Sequence, residues 1–367
     1  MIQDLKNELK QLTSLTGLSS REDEVVRYMY GQFRQATDDV TVDMLGNVTA
    51  AFRCGRPGAQ KVMLFAHMDE VGLMVKKVEP DGFLRMERLT AVNSHIIPGT
   101  EFLVRTHGGK LIPGVVGAKS HHFMSASEKV RMPELQELYL DIGCASAGEV
   151  AKLDISEGCV MSFAHHFHEL QGDIVSTKSL DDRAGLLVLL NLARSLKGTP
   201  LRFDLFLVAS VQEEFNIRGI MPAAHAIDPD VAIGIDITPT GDTPDAGGAT
   251  DVRLGGGPAF TYLNYHGRGT LNGIVPNERL VHFLERTCAE NGLPFQREVC
   301  RGLLTETAYV AISGTKGVAT ANISIPTRYA HTPIETADIK DMAAAIRLLE
   351  AFVTAWDPQY NLKKIDL

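Results

Sequence analysis

The run Val62-Met63-Leu64-Phe65-Ala66 is apolar at every position and ends directly in His67-Met68-Asp69-Glu70. A strand that is apolar throughout, rather than at alternate positions, is covered on both faces, which predicts a largely parallel sheet between helical layers. The pattern recurs three times. Leu205-Phe206-Leu207-Val208-Ala209 leads into Gln212-Glu213-Glu214, Val231-Ala232-Ile233-Gly234-Ile235 leads into Asp236, and Ala321-Asn322-Ile323-Ser324-Ile325 leads through Pro326 and Arg328 to His331. In open α/β sheets the ligand crevice lies outside the carboxyl ends of the strands, where these polar residues fall.

The remaining elements fit around that sheet. Residues 3 to 16 have helical spacing, and Ser19 with Glu22 offers a capping box for a second helix through about Arg34. Leu180-Asp181-Asp182-Arg183-Ala184-Gly185 opens an apolar helix that runs to about Lys197, with Gly198 as its C-cap. Asp181 would then lie near a helix N-terminus, where the dipole favours a carboxylate. Thr336 to Trp356 is expected to close the chain as an amphipathic helix. Between Val71 and about Phe163 the texture changes to short alternating segments broken at Asp81-Gly82, Pro98-Gly99, Gly108-Gly109 and Pro113-Gly114. The expected fold class is α/β: a mixed, mostly parallel central sheet flanked by helices, interrupted by a small inserted β-barrel domain. Residues 1–70 and 165–367 would form the discontinuous catalytic domain, and residues 71–164 the inserted one.

Composition narrows the partners. Net charge is −9 with no Lys/Arg block, so the field of the protein repels nucleic acid and anionic membrane, and small or peptide substrates are expected. The five cysteines are scattered and never spaced as a CxxC pair, which argues against a disulfide framework and a thiolate zinc site and fits a reducing cytoplasm. No apolar stretch approaches the ~18 residues needed to span a bilayer.

His67, Asp181, Glu213, Glu214, Asp236 and His331 together supply two imidazoles and four carboxylates. That inventory can hold two divalent metal ions and leave one carboxylate to move a proton. Amide hydrolysis near neutral pH needs a strong nucleophile, a polarised carbonyl and a proton carrier for the leaving amine. Two metals about 3.5–4 Å apart supply the first two, because bound water falls from pKa 15.7 to roughly 7. In this reading Asp181 bridges, His67 and Asp236 complete one site, and Glu214 and His331 complete the other. Glu213 stays unliganded and shuttles the proton from a bridging hydroxide's parent water to the departing amine. Asp69 would hydrogen-bond the His67 ring and fix its tautomer. No GxSxG elbow is present, and Cys144 has no evident base partner, so covalent nucleophilic catalysis has no support.

The chain resembles the tetrahedral metallo-aminopeptidases, which include glutamyl and deblocking aminopeptidases and some proteins carrying endoglucanase or cellulase-like names. The resemblance rests on Ala66-His67-Met68-Asp69-Glu70-Val71-Gly72, Ser179-Leu180-Asp181-Asp182-Arg183-Ala184-Gly185, Val211-Gln212-Glu213-Glu214, Asp236-Ile237-Thr238-Pro239 with Gly241-Asp242-Thr243-Pro244, and Ile325-Pro326-Thr327-Arg328-Tyr329-Ala330-His331. It implies a cocatalytic pair of zinc or cobalt ions, exopeptidase action at a free N-terminus, and a hollow homododecamer assembled through the inserted β domain. It also implies a cis peptide between Asp181 and Asp182. Two stretches depart from the family pattern. Gly302-Leu303-Leu304-Thr305-Glu306-Thr307 stands where a Gly-Gly-Thr-Asp-like stretch is usual, and Phe215-Asn216-Ile217-Arg218 replaces Val-Gly-Leu-Arg. Because Asn tolerates left-handed backbone, the second turn is expected to survive. The alternatives are a metal-independent glycoside hydrolase, with two acids flanking a sugar linkage, and a non-catalytic, metal-bound assembly protein.

Overall fold

The computed structural model describes residues 1–267 and 273–365. Among these, nine strands form one mixed sheet. Its order is Val40–Val42, Val48–Phe52, Asp204–Ser210, Lys61–His67, Val231–Pro239, Ala319–Thr327, Ala259–Tyr265 and Gly273–Ile274, with Gln296–Arg301 pairing on Ala259–Tyr265. The central four strands are parallel. They are also the apolar runs of the sequence, as two-sided coverage requires. Leu180–Ser195, Glu278–Glu290 and Ile339–Ala355 cover the sheet, and Leu64, Leu187, Ile233, Ile323 and Leu348 are wholly buried between the layers.

The insertion is a closed barrel of six strands, ordered Leu73–Val78, Leu84–Arg88, Leu140–Asp141, Leu111–Val116, Glu101–Arg105 and Val160–Phe163. It has its own apolar core, in which the rings of Phe102 and Phe163 lie 5.0 Å apart. A smaller three-stranded sheet of Phe167–Glu169, Ile174–Thr177 and Glu335–Asp338 leads the chain back toward the helix at Leu180. No helix among the described residues is long and apolar enough to cross a membrane.

Several local expectations are corrected. Pro113-Gly114 is not a break but lies inside Leu111–Val116. Pro113, which has no N–H to donate, pairs with Leu103 at a point where the strand has not yet met its second neighbour, Leu140–Asp141. Gly114 lets the backbone approach Leu140, whose side chain would stand 2.9 Å from an added Cβ. The C-terminal helix begins at Ile339 rather than Thr336, because Glu335–Asp338 pairs antiparallel with Ile174–Thr177. The helix from Leu180 ends at Ser195, two residues short of Lys197, and Leu196, not Gly198, is its C-cap.

The predicted capping box does not form. The second helix starts at Asp23 with Glu22 as N-cap and no side-chain cap bond. Ser19 instead donates to Asp69 at 2.5 Å, and Glu22 accepts from the backbone N–H of Ser20 and Gln212. Both residues join the site described next.

Candidate metal centre

His67 ends its strand and Asp236 lies within Val231–Pro239, two strands that pair directly. From the other side of His67, Asp204–Ser210 delivers Glu213 and Glu214 on a turn pinned by distant groups. The Asp69 carboxylate accepts the backbone N–H of Glu213 at 2.9 Å and of Glu214 at 3.1 Å. Gln212, Asn216 and Ile217 all take positive φ in this turn. Asn216 adopts the left-handed region as expected. Ile217 does so despite its branched Cβ, for which that region is a strained exception.

The imidazoles and carboxylates predicted from strand ends converge. His67 Nε2 is 2.9 Å from Asp181 Oδ1, and His331 Nε2 is 3.2 Å from Asp181 Oδ2 and 3.4 Å from Glu214 Oε1. The two oxygens of Asp181 thus face different histidines. Candidate ligand atoms of Asp181, Glu214 and His331 lie within 4.8 Å of one another, as do those of His67, Asp182 and Asp236. Asp181 and Asp182 are joined by a cis peptide. His67 Nδ1 donates to the carbonyl of Asp69 at 3.0 Å, while the Asp69 carboxylate is 3.5 Å away and mainly holds the Glu213-Glu214 turn. His331 Nδ1 faces the Ala91 carbonyl at 3.3 Å, a contact from the inserted region.

Three further acids join the site, and two of them, Glu335 and Glu306, do so through partners far along the chain, Asp181 and Ser210. Glu335 accepts the N–H of Asp181 at 3.0 Å and of His331 at 2.7 Å, so one carboxyl holds both backbones. Glu306 accepts the Ser210 hydroxyl at 2.6 Å. Asp182 is wholly buried and accepts the N–H of Gly185. The alternation that buries strands carries no trace of these roles. The sequence signal is weak: Asp182 follows Asp181 within its motif, and Glu306 lies in the 302–307 stretch that departs from the family pattern.

Electrostatically the cluster is short of cations. Burial pushes the carboxyls of Asp236, Asp182 and Glu213 well above the carboxylate range, with neighbouring acids adding to the effect. Burial likewise lifts Glu214 to about 7 and both Glu306 and Glu335 to about 8. Burial opposes the charged form of His67, but hydrogen bonds to Asp181 and Asp69 carry it well above its ordinary value. Asp182 Oδ2 and Glu214 Oε1 are buried and receive no hydrogen bond. Imidazole nitrogens, carboxylate oxygens and orphaned acceptors at this spacing form a donor set suited to divalent cations such as zinc.

A cavity of about 680 Å³ opens over the cluster, and Asp181, Glu213, Glu214, Asp236 and His331 are among its lining residues. Comparison with known proteins agrees with this arrangement. The chain is 41% identical over 347 residues to the putative aminopeptidase SgcX of Escherichia coli K12, covering 95% of this chain and 92% of that one. The aminopeptidase APDkam598 of the archaeon Desulfurococcus kamchatkensis superposes with a TM-score of 0.90 at 34% identity, over 98% of this chain and 96% of the other. The TET1 peptidase of Pyrococcus horikoshii, which can assemble into a tetrahedron or a large octahedral shell, superposes with a TM-score of 0.84 at 26% identity, over 95% and 99%. The family model for M42 glutamyl aminopeptidase matches residues 46–348, and the chain belongs to that family of metallo-aminopeptidases.

Proposed function

We propose that the enzyme holds two divalent metal ions, zinc or cobalt, and removes N-terminal residues from short peptides. The observation that carries this reading is Asp181, whose two oxygens face His67 and His331 from the middle of the cluster. His67 and Asp236 would hold one ion, Glu214 and His331 the other, and Asp181 would be shared. Asp182, grouped with His67 and Asp236 and with its Oδ2 free of hydrogen bonds, is a further donor to the first. When bound, such a pair polarises the scissile carbonyl and lowers the pKa of water to roughly 7. Glu213 lines the cavity, with its backbone fixed by Asp69. Its carboxylate takes a proton from the attacking water and delivers it to the departing amine as the C–N bond breaks, so the proton balance closes on one side chain. Asp69 and Glu335 act as positioning residues, because each holds the backbone beneath two site residues.

The test is metal stoichiometry together with turnover. Dialysis against a chelator should abolish hydrolysis of aminoacyl substrates, and zinc or cobalt should restore it at two ions per chain. Restoration at one ion per chain would remove the shared-Asp181 arrangement, and aminoacyl hydrolysis unaffected by chelation would remove the metal-dependent mechanism; turnover of a glycoside but of no aminoacyl substrate would favour the glycosidase reading instead.

Two further expectations belong to this reading. The barrel, at residues 71–164, is the expected self-association domain, and a dodecamer, the form in which the similar PhTET1 structure is described, is the expected assembly. Sedimentation at a mass below twelve chains, under conditions where the enzyme is active, would overturn that assembly. The cytoplasm is the expected setting, consistent with five cysteines that are all free, and cell fractionation with activity outside it would refute this.

A further inference from the structure

The lining of the cavity over the cluster mixes two chemistries. It includes the carboxylates of Asp181, Glu213, Glu214 and Asp236 with His331. It also includes an apolar wall of Ile217, Ile237, Leu303, Leu304 and Tyr309, with Asn216, Thr305 and His266 as further polar groups. Among the described residues that line it there is no Lys or Arg. The apolar side is not a mobile surface patch. Ile217 belongs to a buried cluster with Met63, Phe65 and Phe206 beneath the sheet, and Leu304 and Tyr309 pack against that same cluster. Ile217 is held at φ +51 in the turn that also carries Glu213 and Glu214, so the wall and the acids are fixed by one backbone segment. Strain that persists at a pocket-lining position is a reason to look for a role there.

We propose that this wall receives the side chain of the substrate's N-terminal residue and selects neutral apolar side chains of leucine or methionine type over acidic and basic ones. The proposal rests on the aminopeptidase reading and names its substrate class. In a peptide whose scissile carbonyl lies at the cluster, the first side chain enters the same cavity, where these apolar side chains are available to it. A glutamate there would surrender its hydration to Ile217, Leu303 and Leu304 with no Lys or Arg among the described lining residues to replace it. A lysine would lose the hydration of its ammonium against the same aliphatic side chains. At about 680 Å³ the cavity is roomy enough that size alone does not decide, so the chemistry of the wall does. The stretch from Gly302 to Thr305, which departs from the family pattern, supplies two of the apolar side chains.

The test uses the full chain loaded with zinc or cobalt and a panel of aminoacyl p-nitroanilides. Leucyl or methionyl substrates should exceed glutamyl and lysyl ones by about 100-fold in kcat/KM, the scale on which an apolar pocket discriminates. Leu304→Lys should raise the glutamyl-to-leucyl ratio by about 10-fold or more, and Leu304→Asp should do the same for lysyl. A readout independent of turnover is calorimetric binding of free L-leucine, which should be tighter than that of L-glutamate or L-lysine. Should either variant fail to fold, the wild-type panel and the binding series decide alone. A glutamyl or lysyl preference, or a flat profile, overturns the proposal while leaving the aminopeptidase reading intact. Absence of turnover on every aminoacyl substrate with either metal overturns both.

Discussion

The barrel and the main sheet bury different things. Between Val71 and Phe163 the core is Leu73, Leu84, Phe102, Leu140 and their apolar neighbours, and the buried polar side chains there are the uncharged Thr90, Thr106 and Ser162. At the carboxyl ends of the parallel strands, His67, Asp69, Asp182, Arg183, Glu306 and Glu335 are all almost wholly removed from solvent. The barrel core follows from apolar burial at roughly 25 cal/mol per Å². The sheet end violates that rule in a concentrated way. Buried ionised groups persist only when paired, hydrogen-bonded or bound to metal. The contrast therefore separates a region built for stability from one in which stability is given up to assemble charge.

The sharpest way to break that contrast is Glu213→Gln. If the charged end exists for chemistry, the substitution should lower kcat/KM by about 10²–10⁴-fold while metal content stays at the wild-type level. Turnover left unchanged would remove Glu213 from proton transfer. Turnover lost together with metal would make Glu213 a ligand rather than a proton carrier.

A second test concerns the charges that are paired. Lys178 and Glu70 meet at 2.5 Å with side chains essentially unexposed, and Glu70 also accepts the Ser179 hydroxyl and the N–H of Gly17. This network ties the segment that follows the first helix, at Leu15 and Gly17, to the start of the Leu180 helix. Lys178→Met should destabilise the protein by about 3–5 kcal/mol in denaturant unfolding, because it leaves Glu70 buried without its closest cation. Adding Glu70→Gln should recover part of that loss. A single variant within about 1 kcal/mol of wild type would show that Arg183, also buried nearby, compensates Glu70 by itself.

The barrel supplies the counterpart. Leu84→Ala should cost about 2–5 kcal/mol through lost burial and a residual cavity. Metal content should not change, since no candidate ligand lies in that core. Loss of metal in this variant would mean that the two regions are coupled more tightly than their cores suggest, and the His331 contact to the Ala91 carbonyl names the route.

The same division explains what could be seen in the sequence. The parallel strands were legible because their two-sided burial leaves uninterrupted apolar runs, and His67, Glu213, Glu214, Asp236 and His331 were legible because such runs end in them. The barrel showed as a change of texture, although Pro113-Gly114 looked like a turn and proved to be strand. Residues whose partners are remote were not legible. Ser19 and Glu22 have the spacing of a local cap, yet Asp69 and the Gln212 backbone outcompete it from elsewhere in the chain. Glu335 looked like the threshold of a helix, whereas sheet pairing with Thr177 and its two backbone contacts at the site determine its conformation. Periodicity reports which face is buried. It does not report which distant donor a buried carboxyl will meet.

The smallest predicted effect tests whether charge matters anywhere on the barrel. Lys76 and Glu87 face each other across two barrel strands at 2.5 Å, with both side chains about half exposed. Water and salt screen such a pair, and holding two long side chains in one geometry costs entropy, so its net contribution is at most about 1 kcal/mol. Lys76→Ala should therefore shift the unfolding midpoint only slightly, and the shift should shrink further as ionic strength rises. A loss as large as that expected for Lys178→Met would mean that the barrel, too, depends on a specific ion pair. The distinction between an apolar insertion and a charged sheet end would then fail at its simplest point, because an exposed pair would be behaving as a buried one.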